Sequence, residues 1–355
     1  MRERDLSKLV DAVLTDRQST ILYHIVETYV KTAKPVGSRN LAKKYSLGIS
    51  AATIRNVMND LEEMGLLCQP HVSAGRIPTD KGYRFYVNGL MSLQVLGIME
   101  RRMILEKLHL HSSVDVNEIL QAASRVLGRI SSQLGVVLEP RFYQGVFQKM
   151  ELVSVSENRV LAVLSIKSGL VKTIMMEIES GVSDDQLHET AWLINERLSG
   201  LSLLEVKETI DQRLNDVTVP QNRLLRLILD SSDRLFSFDQ DGLHLDGAQN
   251  IVANPEFSEV AEVARILSLI ESKESFVSKF DSVPPENERI SVRIGAENQE
   301  DLFRGCSVVT ARYTIGKVQG ALGVVGPTRM QYSRIIPLVD YVGEILTRTF
   351  HEKWS

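Results

Sequence analysis

The sequence predicts an α+β chain: an N-terminal winged helix-turn-helix followed by a mixed helix-and-strand domain that carries an insertion. Three observations lead there. Residues 15–64 hold three stretches of helical apolar spacing separated by short turns, and a turn-rich hairpin follows them. The run between Glu27 and Asp60 contains no Asp or Glu, yet it holds Lys31, Lys34, Arg39, Lys43, Lys44 and Arg55. Beyond residue 112, strand-like runs of alternating hydrophobicity are interleaved with amphipathic helices.

The elements follow in order. Thr15-Asp16-Arg17-Gln18 reads as a capping box, and behind it Ile21, Leu22, Ile25, Val26, Tyr29 and Val30 make one apolar helix face. Pro35 and Gly37 end that helix. Ser38 is expected to cap a short second helix with Leu41, Ala42 and Tyr45 inward, and Leu47-Gly48 to turn the chain. Ser50 caps a third helix whose inner face is Ile54, Val57, Met58 and Leu61. Its other face presents Ala51, Ala52, Arg55, Asn56 and Asn59 to DNA, with Ser50 and Thr53 facing it from the first turn. Small residues let a helix approach base edges, and Arg and Asn suit guanine and adenine in the major groove. Ser38, Arg39, Asn40, Lys43 and Lys44 are placed to hold phosphates. After Gly65, a strand over 66–70, the turn His71 to Arg76 and a return through Ile77-Pro78 predict a wing, with Ser73 and Arg76 toward DNA. Thr79-Asp80 starts one more helix with Tyr83, Tyr86, Val87 and Leu90 inward.

A helical connector is expected over residues 91–112, then a long amphipathic helix from Val116 to Leu134. Strands are expected over 142–155, 160–166 and 170–178, and a capped helix from Ser183 past Trp192 to Leu198. The same style resumes with strands over 290–294, 306–313 and 316–325 and a closing helix from Tyr332. Between them, residues 201–287 break the pattern. Their helices near 220–237 and 255–279 carry apolar residues on more than one side, as a subunit interface would. The expected organisation is therefore 1–90, 91–112, a domain built from 113–200 and 288–355, and an inserted dimerisation domain at 201–287.

Composition sets bounds on function. A length of 355 residues suggests two or three domains, and 43% hydrophobic with 24% charged residues is the balance of a soluble globular protein. The net charge of −4 hides an asymmetry: residues 1–90 hold 13 Lys/Arg against 9 Asp/Glu, leaving 28 against 36 for the rest. A basic head on an acidic body fits a nucleic-acid module attached to a regulatory one. On a winged helix that binds only protein, the same polar face would be ordinary solvated surface. The missing acids, the small residues opening helix three and the basic wing decide for double-stranded DNA.

Cys68 and Cys306 stand far apart, so no disulfide framework or zinc-ligand set is expected. Met1 to Val10 carries mixed charge with no apolar core, and no apolar run approaches the roughly 20 residues that span a bilayer. A reducing cytoplasmic location follows, with no membrane partner. No cofactor, metal or catalytic residue is expected. Gly316, Gly320, Gly323 and Gly326 lack the spacing of a dinucleotide fingerprint, and no phosphate loop, His-Glu-x-x-His or serine elbow occurs. Gly326-Pro327-Thr328-Arg329-Met330 reads as a strand-to-helix turn in which Arg329 is available to an anion.

These motifs carry a resemblance. Leu14-Thr15-Asp16-Arg17-Gln18, Pro35-Val36-Gly37-Ser38, Ser50 to Asn56, Ser73 to Thr79 and Gly326 to Tyr332 resemble the heat-inducible transcription repressor HrcA family along the whole chain. The resemblance implies that the mixed domain is GAF-like and that the inserted domain dimerises. It implies a homodimeric repressor of heat-shock chaperone operons that binds the inverted-repeat operator CIRCE, needs the GroE chaperonin to stay active, and is lost from DNA on heat stress. Two rivals stand beside it. A small-molecule-responsive winged-helix regulator would sense a ligand in the GAF-like domain, and a pocket of convergent polar groups would favour it. An enzyme would need a cluster of titratable residues in a cleft, and the sequence offers none.

Overall fold

The computed structural model describes residues 14–72, 74–109, 116–140, 145–167, 171–178, 181–214, 223–236, 242–281, 289–316 and 318–354. The described chain forms two compact units. The first comprises Met1–Val137, His244–Ala311 and Leu322–Val342; the second comprises Leu138–Leu243, Arg312–Ala321 and Gly343–Ser355.

The first unit opens with α1 (Asp16–Thr32), α2 (Ser38–Tyr45) and α3 (Ala51–Glu63). The capping box at Thr15 forms with Gln18, and the Ser50 hydroxyl accepts the Thr53 amide at 3.1 Å. Ile21, Leu22, Ile25, Val26, Ile54 and Leu61 have no exposed surface, and each contributes about 1.5–3 kcal/mol of hydrophobic stabilisation. The wing is small. Strand β1 (Leu67–Cys68) pairs antiparallel with β2 (Ile77–Pro78), and Val36 adds a third rung by exchanging both backbone hydrogen bonds with Arg76 at 2.9 Å. Gly75 makes this rung possible, because a Cβ there would lie 2.4 Å from the Val36 carbonyl carbon. Helix α4 (Asp80–Phe85), capped by Thr79, continues as a π-helical turn over Tyr86–Leu90.

Helices α5 (Ile98–His109) and α6 (Val116–Ser131) follow, then β3 (Leu134–Leu138), whose residues are all buried. Strand β3 belongs to a five-stranded sheet with β7 (Leu243–Asp246), β8 (Ile290–Ile294), β9 (Cys306–Ile315) and β10 (Val318–Pro327), in the order β7-β3-β10-β9-β8. Helices α11 (Ala248–Val252), α12 (Val260–Glu271) and α13 (Lys273–Asp281) lie between β7 and β8, and α14 (Tyr332–Trp354) closes the chain.

The second unit holds its own sheet, an antiparallel meander of β4 (Phe147–Ser156), β5 (Arg159–Ile166) and β6 (Val171–Glu177). Helices α7 (Asp184–Leu198), α8 (Leu203–Leu214), α9 (Arg223–Asp230) and α10 (Ser232–Phe236) accompany it. The Asn195 side chain accepts the Met150 amide at 2.6 Å and donates to its carbonyl at 2.9 Å, tying α7 to β4.

The sequence boundaries differ from this division. The expected excursion was 201–287, with the strands of 142–178 grouped with the late ones. The chain instead leaves the five-stranded sheet after β3 and rejoins it at β7, inside the Gly-rich piece expected to link two helices. Alternation identifies a strand but not its partner, and pairing here is decided by non-local packing. The expected helix over 255–279 is a 3-10 turn (Pro255–Phe257) followed by α12 and α13, broken at Ser272, and α8 was not anticipated.

Candidate nucleic-acid interface

Helix α2 is fixed against α1 by side chains that are neither purely apolar nor solvated. The His24 and Tyr45 rings stack at 4.0 Å, and the Thr28 and Tyr45 hydroxyls share a hydrogen bond of 2.9 Å. Burial lowers the His24 pKa, only partly opposed by Glu27, so the ring packs as neutral imidazole. This holds the outward face of α2 beside that of α3.

On those faces Arg39, Asn40, Lys43, Ala52, Arg55 and Asn56 are exposed, and Ala51 is half-buried. Arg39, Lys43 and Arg55 have no side-chain partner among the described residues. Lys44 lies over the Tyr45 ring, 5.0 Å from its centroid, with its charge still exposed. Lys31 differs, because Glu27 takes its ammonium at 2.7 Å and that hydrogen bond raises its pKa.

Several expected DNA-facing residues have structural partners instead. Ser38 is the first residue of α2, is buried and makes no capping bond, with Gly37 at the cap position, so it neither caps nor faces outward. The Ser50 and Thr53 hydroxyls bond each other at 2.9 Å in the N-cap of α3. Arg76 is not at the wing tip. Its guanidinium donates to Asn59 at 3.2 Å and pairs with Glu62 at 2.8 Å, which ties the wing to the C-terminal half of α3. The backbone rung to Val36 fixes Arg76 just beyond the last β1–β2 pair, and its side chain reaches back to the helix. The tip is occupied by His71 and Val72, the latter 97% exposed, while Ser73 lies outside the described residues.

Sequence reasoning missed the residues that seat the winged helix within the first unit. Arg329, read as available to an anion, pairs with Glu256 at 2.7 Å and donates to the Val30 carbonyl at 2.9 Å. Asp80 accepts the Ala296 amide at 2.9 Å, Arg84 forks onto Glu297, and the buried Tyr83 and Tyr332 rings meet at 6.0 Å. The spacing of these pairs along the chain, up to 299 residues, leaves no local signal. Among the described residues no group of His, Cys, Asp and Glu is placed to hold a metal, and no helix is long and apolar enough to cross a membrane.

Comparisons match this architecture from both ends. A family model for the winged helix-turn-helix transcription repressor HrcA DNA-binding domain matches residues 13–92, and one for the HrcA protein C-terminal domain matches residues 117–336. The chain belongs to the HrcA family. A heat-inducible transcription repressor HrcA of Prosthecochloris aestuarii is 43% identical, with 96% of this chain and 98% of that one covered. Its counterpart in Chlorobium phaeobacteroides strain BS1 is 41% identical over 95% and 98%, and that of Syntrophobacter fumaroxidans 36% over 96% and 98%. A crystal structure of a hypothetical protein shares the fold, with a TM-score of 0.64 at 24% identity over 96% of this chain and 99% of that one. The HrcA relatives are named as repressors rather than enzymes.

Proposed function

We propose that this HrcA-family chain is a sequence-specific repressor of heat-shock chaperone operons. In this reading it binds the inverted-repeat operator CIRCE as a homodimer, depends on the GroE chaperonin and loses activity on heat stress. The observation that carries the DNA-binding part is the row of exposed side chains on α2 and α3, with the half-buried Ala51 at its edge. Ala51, Ala52, Arg55 and Asn56 form the base-reading face, and Arg39, Asn40, Lys43 and Lys44 form the phosphate-holding one. Arg76 and Asn59 support that face by bracing the wing against α3. The operator and chaperonin parts rest on family membership.

The homodimer is supported by the outer face of the β4-β5-β6 sheet. Val153, Leu161 and Met175 stand opposite one another across the three strands, and Val153, Val155, Val171 and Met175 are 43–59% exposed. A sheet with apolar residues on its uncovered side fits a subunit interface better than a solvated surface. The dimerising segment in this reading is 138–243 rather than 201–287.

The test is a mobility-shift titration of full-length protein against an inverted-repeat operator duplex, with and without GroE chaperonin. Chaperonin should raise the fraction competent to bind. Binding that is indifferent to the inverted repeat refutes the operator reading, and indifference to chaperonin refutes the dependence alone.

A further inference from the structure

Within the first unit, α5, α6 and the turn after β7 line an open cleft of about 720 Å³ that the repressor reading does not use. That size falls in the range of small-molecule sites, about 300–1,000 Å³. Three cations line it: Lys107 from α5 and Arg125 and Arg129 from α6. None has a hydrogen-bond or ion-pair partner among the described residues. Arg125 and Arg129 are exposed and four apart on one helix, where like charges repel, a strain that a bound anion would relieve. This concentration of positive charge is set in the acidic part of the chain.

The floor of the cleft is rigidly built. The Asn250 side-chain nitrogen donates to the carbonyls of Gly128 at 3.1 Å and Gln133 at 3.2 Å, clamping the turn onto the end of α6. A Cβ on Gly128 would lie 2.7 Å from the Asp246 carbonyl oxygen, and one on Gly247, at φ +85°, 2.5 Å from the Gln133 carbonyl oxygen. Only glycines permit this approach. Asp246 and Gln249 add an acceptor and an amide to the lining, and Ala122 and Val126 an apolar wall.

We infer that this cleft binds a phosphate-bearing small molecule of nucleotide size. Its phosphates would bridge Arg125 and Arg129 to Lys107, with sugar or base against Asp246, Gln249 and the apolar wall. Guanidinium pairs suit phosphate oxygens in this way. Because Lys107 stands on the helix that leaves the winged-helix segment, a bridging polyphosphate would fasten that connector to the mixed domain. The inference is independent of the repressor reading.

The experiment uses full-length protein, inorganic pyrophosphate, ATP, GTP and adenosine, with sodium sulfate at matched ionic strength. Pyrophosphate and the triphosphates should raise the melting temperature saturably by roughly 2–5 °C, and adenosine should not. A fluorescent triphosphate should lose at least about 10-fold in affinity with Arg125→Gln/Arg129→Gln, a loss of more than 1.4 kcal/mol. Lys107→Gln is a second variant on a separate helix, and circular dichroism checks that each folds. An equal response to sulfate would mean an adventitious ion only and overturns the inference. So does triphosphate binding that the variants leave unchanged, or a cleft whose variants weaken DNA binding with no effect on triphosphate.

Discussion

Replacing Arg329 by alanine should loosen the winged helix from its seat in the first unit. The side chain is 15% exposed and Glu256 27% exposed, so both charges are substantially desolvated. Val30 lies in the last turn of α1, where carbonyls have no intrahelical donor and carry the negative end of the helix dipole. Arg329 satisfies that carbonyl at 2.9 Å with a charge-assisted hydrogen bond, worth about 1.5–3 kcal/mol. The partly exposed pair with Glu256 adds about 1 kcal/mol, giving an expected loss of roughly 2–4 kcal/mol. Lysine cannot fork between the two acceptors, so Arg329→Lys should recover less than half of it. Urea unfolding followed by circular dichroism measures the loss, and hydrogen exchange in the last turn of α1 locates it. A cycle with Glu256→Gln should give a coupling of about 1 kcal/mol. A loss under about 0.5 kcal/mol, or full rescue by lysine, would mean that Arg329 does not seat the winged helix.

Four further outcomes are expected. Burial alone would raise the Glu27 pKa, but hydrogen bonds from Lys31 and Tyr86 outweigh it and hold the carboxylate below its ordinary value. Its contribution is therefore complete above the ordinary carboxylate pKa and lost as pH falls through the depressed one, so Glu27→Gln should flatten the acid limb of a stability-against-pH curve. Val153→Asp with Met175→Asp should convert dimer to monomer in sedimentation velocity while the far-UV spectrum is kept. Burial, opposed by Arg265, pushes the Cys306 thiol up to about 11, so Cys306 should react with a disulfide reagent at pH 8 only after unfolding. Lys43→Ala should weaken binding to all duplexes and lower the salt dependence by about 0.9 per half-site, without changing base preference.

Local chemistry was legible wherever it is local. The Thr15 box, the Ser50 cap and the Ile54, Val57, Met58, Leu61 stripe stand in the structure as read, because capping and helical periodicity act over three or four residues. Ser38 shows the limit. Its residue type suits a cap, but Gly37 takes the cap position and burial takes Ser38 inward. Arg76 reads as a DNA-facing cation of the wing because composition shows charge without its partner. Glu62 and Asn59 are 14 and 17 residues earlier, on another element. The same limit hid the path of the chain between β3 and β7. Val160–Ile166 is apolar on both faces, so its alternation announced neither the separate sheet nor its uncovered side.

Base reading by α3 is the step on which the proposed repression rests. Fluorescence anisotropy of full-length protein tests it most directly, with an inverted-repeat operator duplex compared against a scrambled duplex of equal length and salt, for the unaltered chain and Arg55→Ala. Clear preference for the operator is expected, with a loss of about 1–3 kcal/mol in the variant that is confined to the operator and relaxes one position per half-site. Equal affinity for both duplexes, or a variant indistinguishable from the unaltered chain, would contradict it.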